Sequence, residues 1–236
     1  MNLLIRFGSL LTVALCVCGW QNSAPASTGV KARLFILSGQ SNMARFDPDV
    51  SFTPALKKAF PGDEIIVVKS AQGGQPIARW YKGAKATELR KGSTQVGDLY
   101  DVMMTKVHAA IKGKTIDTVV FVWMQGEPNA KLGSAGTYEA SLRGLIKQLR
   151  DDLKRPDTAF VIGRLSEFKK GEAGWDTVRA AQVKVADDDP RGAWVDTDKI
   201  NDGKVALHYS QKGYAEMGRR FAAKSVELLT RKSATP

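Results

Sequence analysis

Five short apolar runs, each closed by a polar turn and separated from the next by a stretch of helical spacing, constrain this chain more than any other feature. They are residues 32–37 (ARLFIL), 64–68 (EIIVV), 118–123 (TVVFVW), 159–165 (AFVIGRL) and 193–195 (AWV). Such runs are β-branched and largely without polar alternation, as strands covered on both faces of a parallel sheet must be. Between them, Asp98 is the expected N-cap of a helix over 99–112, with Leu99, Val102, Met103, Val107 and Ala110 on its apolar side. Tyr138, Leu142, Leu145, Leu149 and Leu153 form a second helical stripe, and Tyr214, Met217, Phe221 and Leu228 a third. Alternating strands and helices predict an α/β domain of three layers around a five-stranded parallel sheet. After residue 30 there is no repeat, low-complexity tract or linker, so one domain is the simplest count.

The first residues stand apart from this pattern. Arg6 precedes an apolar run of about 7–20, and QNSAPASTG follows, with Ala24 and Ala26 spaced as a signal peptidase requires. The run is shorter than the ~20 residues a bilayer span needs. Residues 1–26 therefore read as a signal peptide and 27–236 as the exported domain, secreted or periplasmic, with no membrane segment after cleavage. Cys16 and Cys18, the only cysteines, fall in the leader, and the Leu15 and Val17 that precede them argue against lipidation. A thiol nucleophile, a Cys-rich zinc site and a disulfide framework are all excluded from the mature chain.

Ligands of such sheets bind beyond the carboxyl ends of the strands, and three of these ends are unusual. The first strand runs into Ser38-Gly39-Gln40-Ser41-Asn42-Met43, placing Ser41 at a tight turn into a helix, among free backbone N–H groups. Taken alone, that position fits a helix cap better than a nucleophile. The second runs into Ala71-Gln72-Gly73-Gly74-Gln75-Pro76, whose glycines let the backbone approach a ligand. The third ends in Gln125-Gly126-Glu127-Pro128-Asn129, where an amide could donate to an oxyanion and a carboxylate could accept from an imidazole. His208, in a loop before the last helix, is the candidate base; His108, the other histidine, falls off the apolar face of its helix.

Together the segments 35–43 (FILSGQSNM), 73–80 (GGQPIARW), 123–130 (WMQGEPNA) and 207–214 (LHYSQKGY) resemble the SGNH hydrolase superfamily. The closer likeness is to its sialate O-acetylesterase-related branch, which includes carbohydrate esterase family 6. The resemblance implies a flavodoxin-like αβα sandwich and a serine esterase that removes acetyl groups from sugars without metal or cofactor. It implies Ser41 as nucleophile, His208 as general base, and an oxyanion hole from Gly74, with Gly73 as its alternative, and Gln125. Members usually carry Asp three residues before the His; here that residue is Val205. The acid role then falls to Glu127, as in some relatives, with Asp202 as the alternative.

Lys plus Arg number 35 against 24 Asp plus Glu, a formal net charge of +11. The basic residues are scattered, which fits ordinary solvation; attraction to an anionic, uronate- or sulfate-bearing glycan is the sharper reading, with Arg45 and Arg79 near the candidate site. Nucleic acid is not an expected partner, since no recognition motif is present. Two alternatives stand beside the esterase: a carbohydrate-binding relative weakened in catalysis by the missing Asp, and a lipase or thioesterase of the same fold.

Overall fold

The computed structural model describes residues 30–89 and 95–231. The expected leader and both cysteines lie outside the described residues. Strands β1 (Ala32–Gly39), β2 (Glu64–Ala71), β3 (Thr118–Met124), β4 (Ala159–Gly163) and β5 (Gly192–Val195) form an all-parallel sheet in the order β2-β1-β3-β4-β5. The chain builds outward from β1 in one direction and then, from β3, in the other. The carboxyl ends of β1 and β3 thus flank the point where the winding reverses, the crevice in which open α/β sheets bind ligands.

Period-two alternation sorts the strand residues onto two cores. Phe35, Leu37, Val120, Val122 and Val161 pack with Phe52 and Leu56 of α2 (Pro48–Ala59) and with Met217 and Phe221 of α7 (Gln211–Thr230). Leu34, Ile36, Phe121, Trp123 and Ile162 face the opposite way. They pack against Met103 and Val107 of α3 (Asp98–Ile111), Leu142 and Leu145 of α5 (Tyr138–Leu153), and Val178 of α6 (Ala173–Asp187). Two short helices, α1 (Ser41–Arg45) and α4 (Glu127–Lys131), start where β1 and β3 end.

The α3 expectation needs two corrections. Val102 is 49% exposed and does not belong to the buried stripe. The N-cap is Gly97, left-handed at φ 79°, and Asp98 is the first helical residue, its carboxylate paired with the Arg79 guanidinium. An ion pair with a largely buried Arg outcompetes a local cap here, since that guanidinium would otherwise be left without an anion.

Gly39 is the backbone position that matters most for the site. At φ 140° it ends β1 against β3, and a Cβ there would collide with the Met124 carbonyl. The same carbonyl accepts the Gln40 N–H at 2.9 Å. The turn that delivers Ser41 is therefore pinned to the end of β3.

Candidate active site

Ser41 opens α1, with Gln40 as its N-cap. The Ala44 N–H reaches back to the Gln40 carbonyl at 2.8 Å, which leaves the amides of Ser41, Asn42 and Met43 without an intrahelical acceptor. The Ser41 hydroxyl lies 2.9 Å from His208 Nε2 and 2.9 Å from Gln40 Oε1. The Gly74 N–H, from the loop after β2, donates to the same Gln40 oxygen at 3.2 Å. These groups open onto a cleft of about 390 Å³, with Lys131 at its edge and Pro128 and Leu132 as apolar wall.

His208 is held by its loop. The Asn201 side chain donates to its carbonyl at 3.3 Å and accepts the Ser210 N–H at 2.6 Å. Ser210 caps α7, accepting the Gly213 N–H at 3.1 Å. Among the described residues no carboxylate hydrogen-bonds the imidazole. Asp202 instead accepts the Ser210 hydroxyl at 2.7 Å. Val205, three residues before His208, is 60% exposed.

Glu127 does not reach the imidazole either. It is 4% exposed at the start of α4. Its Oε1 accepts from Asn42 Nδ2 at 2.9 Å, and the same amide nitrogen donates to the Leu207 carbonyl at 3.1 Å. Tyr214 OH donates to Asn42 Oδ1 at 3.0 Å. Asn42 thus ties α1 to α4, to the residue before His208, and to α7. The carboxylate's link to the Ser41 turn runs through Asn42.

Gln125 also takes a different place from the expected one. Its Nε2 donates to the Gln75 carbonyl at 3.1 Å and to Asn129 Oδ1 at 2.8 Å, which uses both amide protons. Asn129 in turn accepts the Ile77 N–H at 3.0 Å. Gln125 is fully buried and fastens the end of β3 to the Gly73–Ile77 loop, so it has no proton to offer an oxyanion in this arrangement. Gly74 does present its N–H beside Ser41. Gly73 also packs on Ser41, since a Cβ built on it would stand 3.4 Å from the Ser41 Cβ.

The residues missed by sequence reasoning, Gln40, Asn42 and Tyr214, all lie within the motifs that carried the resemblance. Their roles depend on side-chain direction, which a motif does not encode.

Burial holds the His208 imidazole below its usual range, and the nearby Arg45 and Lys131 charges push the same way. A depressed pKa keeps the ring neutral, the form able to take a proton. Burial pushes the Glu127 carboxyl up, opposed by its own backbone amide, by the Asn42 and Gln40 amides and by Lys131. Among the described residues no three His, Cys, Asp or Glu side chains are grouped to hold a metal ion.

An αβα sheet of this order, with a serine turn at the end of its first strand, is the SGNH hydrolase-type fold. Solved structures share the fold. A protein from Arabidopsis thaliana is 21% identical at a TM-score of 0.65, covering 84% of this chain and 98% of its own. A carbohydrate acetylesterase from Xanthomonas citri is 19% identical at 0.64, with 86% of this chain matched to 57% of that one. An aryl esterase from M. smegmatis is 14% identical at 0.52, covering 85% and 98%. No curated protein matches the chain.

The chain belongs to the carbohydrate esterase family of sialic acid-specific acetylesterases, whose profile matches residues 44–227. It is a carboxylic ester hydrolase. The matched segment begins just after Ser41 and includes Gly74, Glu127 and His208.

Proposed function

We propose that this protein removes O-acetyl groups from carbohydrate with a Ser41–His208 pair. The observation that carries the reading is the 2.9 Å contact between Ser41 Oγ and His208 Nε2 at the edge of the cleft. A serine hydroxyl becomes a nucleophile only as a base takes its proton. His208 takes the Ser41 proton while Oγ bonds to the acetyl carbon. The negative charge that develops on the carbonyl oxygen meets the Gly74 N–H and the unpaired N–H at the start of α1. Collapse breaks the sugar C–O link on the acyl side, and the imidazolium returns its proton to the leaving sugar oxygen. Water, deprotonated by His208, then attacks the acetyl-serine and releases acetate. The loop contacts of Asn201 and the Asn42 bridge hold His208 in place of an orienting carboxylate.

An anionic sugar is the favoured substrate. Arg45 and Lys131 both act on the His208 ring electrostatically, and no ion pair or hydrogen bond to either side chain occurs among the described residues. Two uncommitted cations beside a cleft attract an acidic glycan more than a neutral one. The basic-then-apolar N-terminal segment supports export with cleavage near Ala26, and N-terminal sequencing of protein recovered outside the cytoplasm tests that.

Ser41→Ala and His208→Ala, assayed on a small acetyl ester and on an O-acetylated sugar, test the chemistry. Each substitution is expected to cost at least about 1,000-fold in turnover with the fold retained. Turnover within tenfold of wild type in either variant would remove that residue from the reaction.

A further inference from the structure

The oxygen that Gly74 and Ser41 address in this structure belongs to the protein itself. Gln40 Oε1 accepts the Gly74 N–H at 3.2 Å and lies 2.9 Å from Ser41 Oγ. An acyl oxygen undergoing attack by Ser41 has to lie beside the attacking atom and within reach of the hole's N–H donors. The Gln40 carbonyl has both of these relations already. We propose that Gln40 is a resident occupant of the oxyanion hole, which an ester must displace before Ser41 can be activated. The inference rests on the nucleophile reading given above.

Three further observations support displacement. Ser41 has one hydroxyl proton and two acceptors at equal distance, Gln40 Oε1 and His208 Nε2. While that proton is donated to Gln40, the base does not hold it. The Gln40 backbone is anchored at both ends, its N–H to Met124 and its carbonyl to Ala44, so only its side chain is free to turn. The far side of the carboxamide is only loosely held: Gln40 Nε2 and Glu127 Oε2 are both buried without a hydrogen bond of good geometry. The two lie close enough for the amide to favour the ionised carboxylate, yet they form no well-made hydrogen bond. Rotation gives up that electrostatic contact but no well-made hydrogen bond on that side.

Gln40 is 2% exposed but lines the cleft, so whatever displaces its side chain arrives from the cleft side. The arriving acyl group takes over the Gly74 N–H, and the Ser41 proton turns to His208. The nucleophile is thereby uncoupled from its base until a carbonyl is in position.

Gln40→Met tests this, because it keeps the length of the side chain and removes the carbonyl. The readouts are the second-order rate at which a small fluorophosphonate labels Ser41, and KM for a small acetyl ester. Two ordinary hydrogen bonds no longer have to be exchanged, so labelling is expected to accelerate, and KM to fall, by up to about tenfold. Labelling at or below the wild-type rate overturns the proposal. A loss of 100-fold or more in kcat would overturn it too, and would make Gln40 a donor to the transition state.

Gln40→Glu covers the case in which the methionine variant does not fold. A carboxylate in the same place binds the hole's donors more tightly, so labelling is expected to slow and to recover as pH falls through protonation of the new carboxyl. Slow labelling that is independent of pH overturns the proposal. Ser41→Ala separates the two levels. Label that persists without Ser41 refutes the nucleophile, whereas Ser41-dependent label at equal rates in wild type and Gln40→Met refutes only the displacement.

Discussion

Asn42→Ala tests how the buried Glu127 carboxylate serves the site. The side chain removed is 2% exposed and makes three hydrogen bonds: to Glu127 at 2.9 Å, to the Leu207 carbonyl at 3.1 Å, and from Tyr214 at 3.0 Å. The bond to a carboxylate is the strongest, at about 2 kcal/mol, and the two neutral ones contribute about 1 kcal/mol each, so some 4 kcal/mol of stability is at stake. For a domain of this size that is a fall in Tm of about 10 °C. The Leu207 carbonyl precedes His208 directly, and its release lets the imidazole drift from Ser41. A misplacement of about 1 Å costs on the order of 100-fold in rate. Thermal unfolding and steady-state hydrolysis of a small acetyl ester measure both effects. Tyr214→Phe, which deletes one of the three bonds, should cost about 1 kcal/mol and leave turnover within about threefold. Glu127→Gln preserves an acceptor for Asn42 and should lose less than about tenfold, the equivalent of ~1.4 kcal/mol. A loss of 100-fold or more in Glu127→Gln, with Asn42→Ala within tenfold of wild type, would refute the reasoning and put the carboxylate on the imidazole itself.

Other outcomes follow from the charges. The acid limb of kcat/KM should lie below the ordinary histidine value of about 6.5, because burial and then Arg45 and Lys131 depress His208; Lys131→Ala should move that limb to higher pH, and an unmoved limb would separate Lys131 from the base. Glu127 has a raised pKa in the folded chain, so the folded state holds its proton more firmly than the unfolded state. Wild-type stability should therefore decline as pH rises from the ordinary Glu range through the raised value, while Glu127→Gln shows no such decline; parallel stability curves for the two proteins would contradict this. Cleavage of an acetylated anionic polymer should slow between about 0.01 and 0.1 M salt, as the Debye length shortens from about 30 to about 10 Å. A neutral small ester should be hydrolysed at a nearly constant rate over the same range, and equal responses would end the anionic reading.

The layers of the fold were legible because both faces of each strand must be apolar when helices cover both sides. The runs at 32–37 and 118–123 state that directly. The runs at 32–37 and 64–68 fall short at their carboxyl ends, since β1 extends through Ser38 and Gly39 and β2 through Ser70 and Ala71. Small polar residues there keep strand hydrogen bonding, which hydropathy does not register. Ser41 and His208 were legible from motif type and position, and the structure brings them together. The acid was not, because a carboxylate two residues after Gln125 was expected to share its direction toward Ser41. The onset of α4 at Glu127 turns the carboxylate inward onto Asn42, and Gln125 is spent on Asn129. Asp202 shares a loop with His208, but at φ 52° its side chain meets Ser210 instead.

Ser41 and His208 are 167 residues apart in the chain, and this separation sets the timing of competence. During synthesis Ser41 emerges early and His208 near the end, in the loop whose Ser210 caps α7. Closing so long a loop carries a large entropic cost before the contact rewards it, which makes this one of the slower events in folding. A nascent or C-terminally truncated chain lacks His208 and also the α7 side chains that cover one face of β1, β3 and β4. Seating α7 therefore closes that core and brings His208 to Ser41 in the same step.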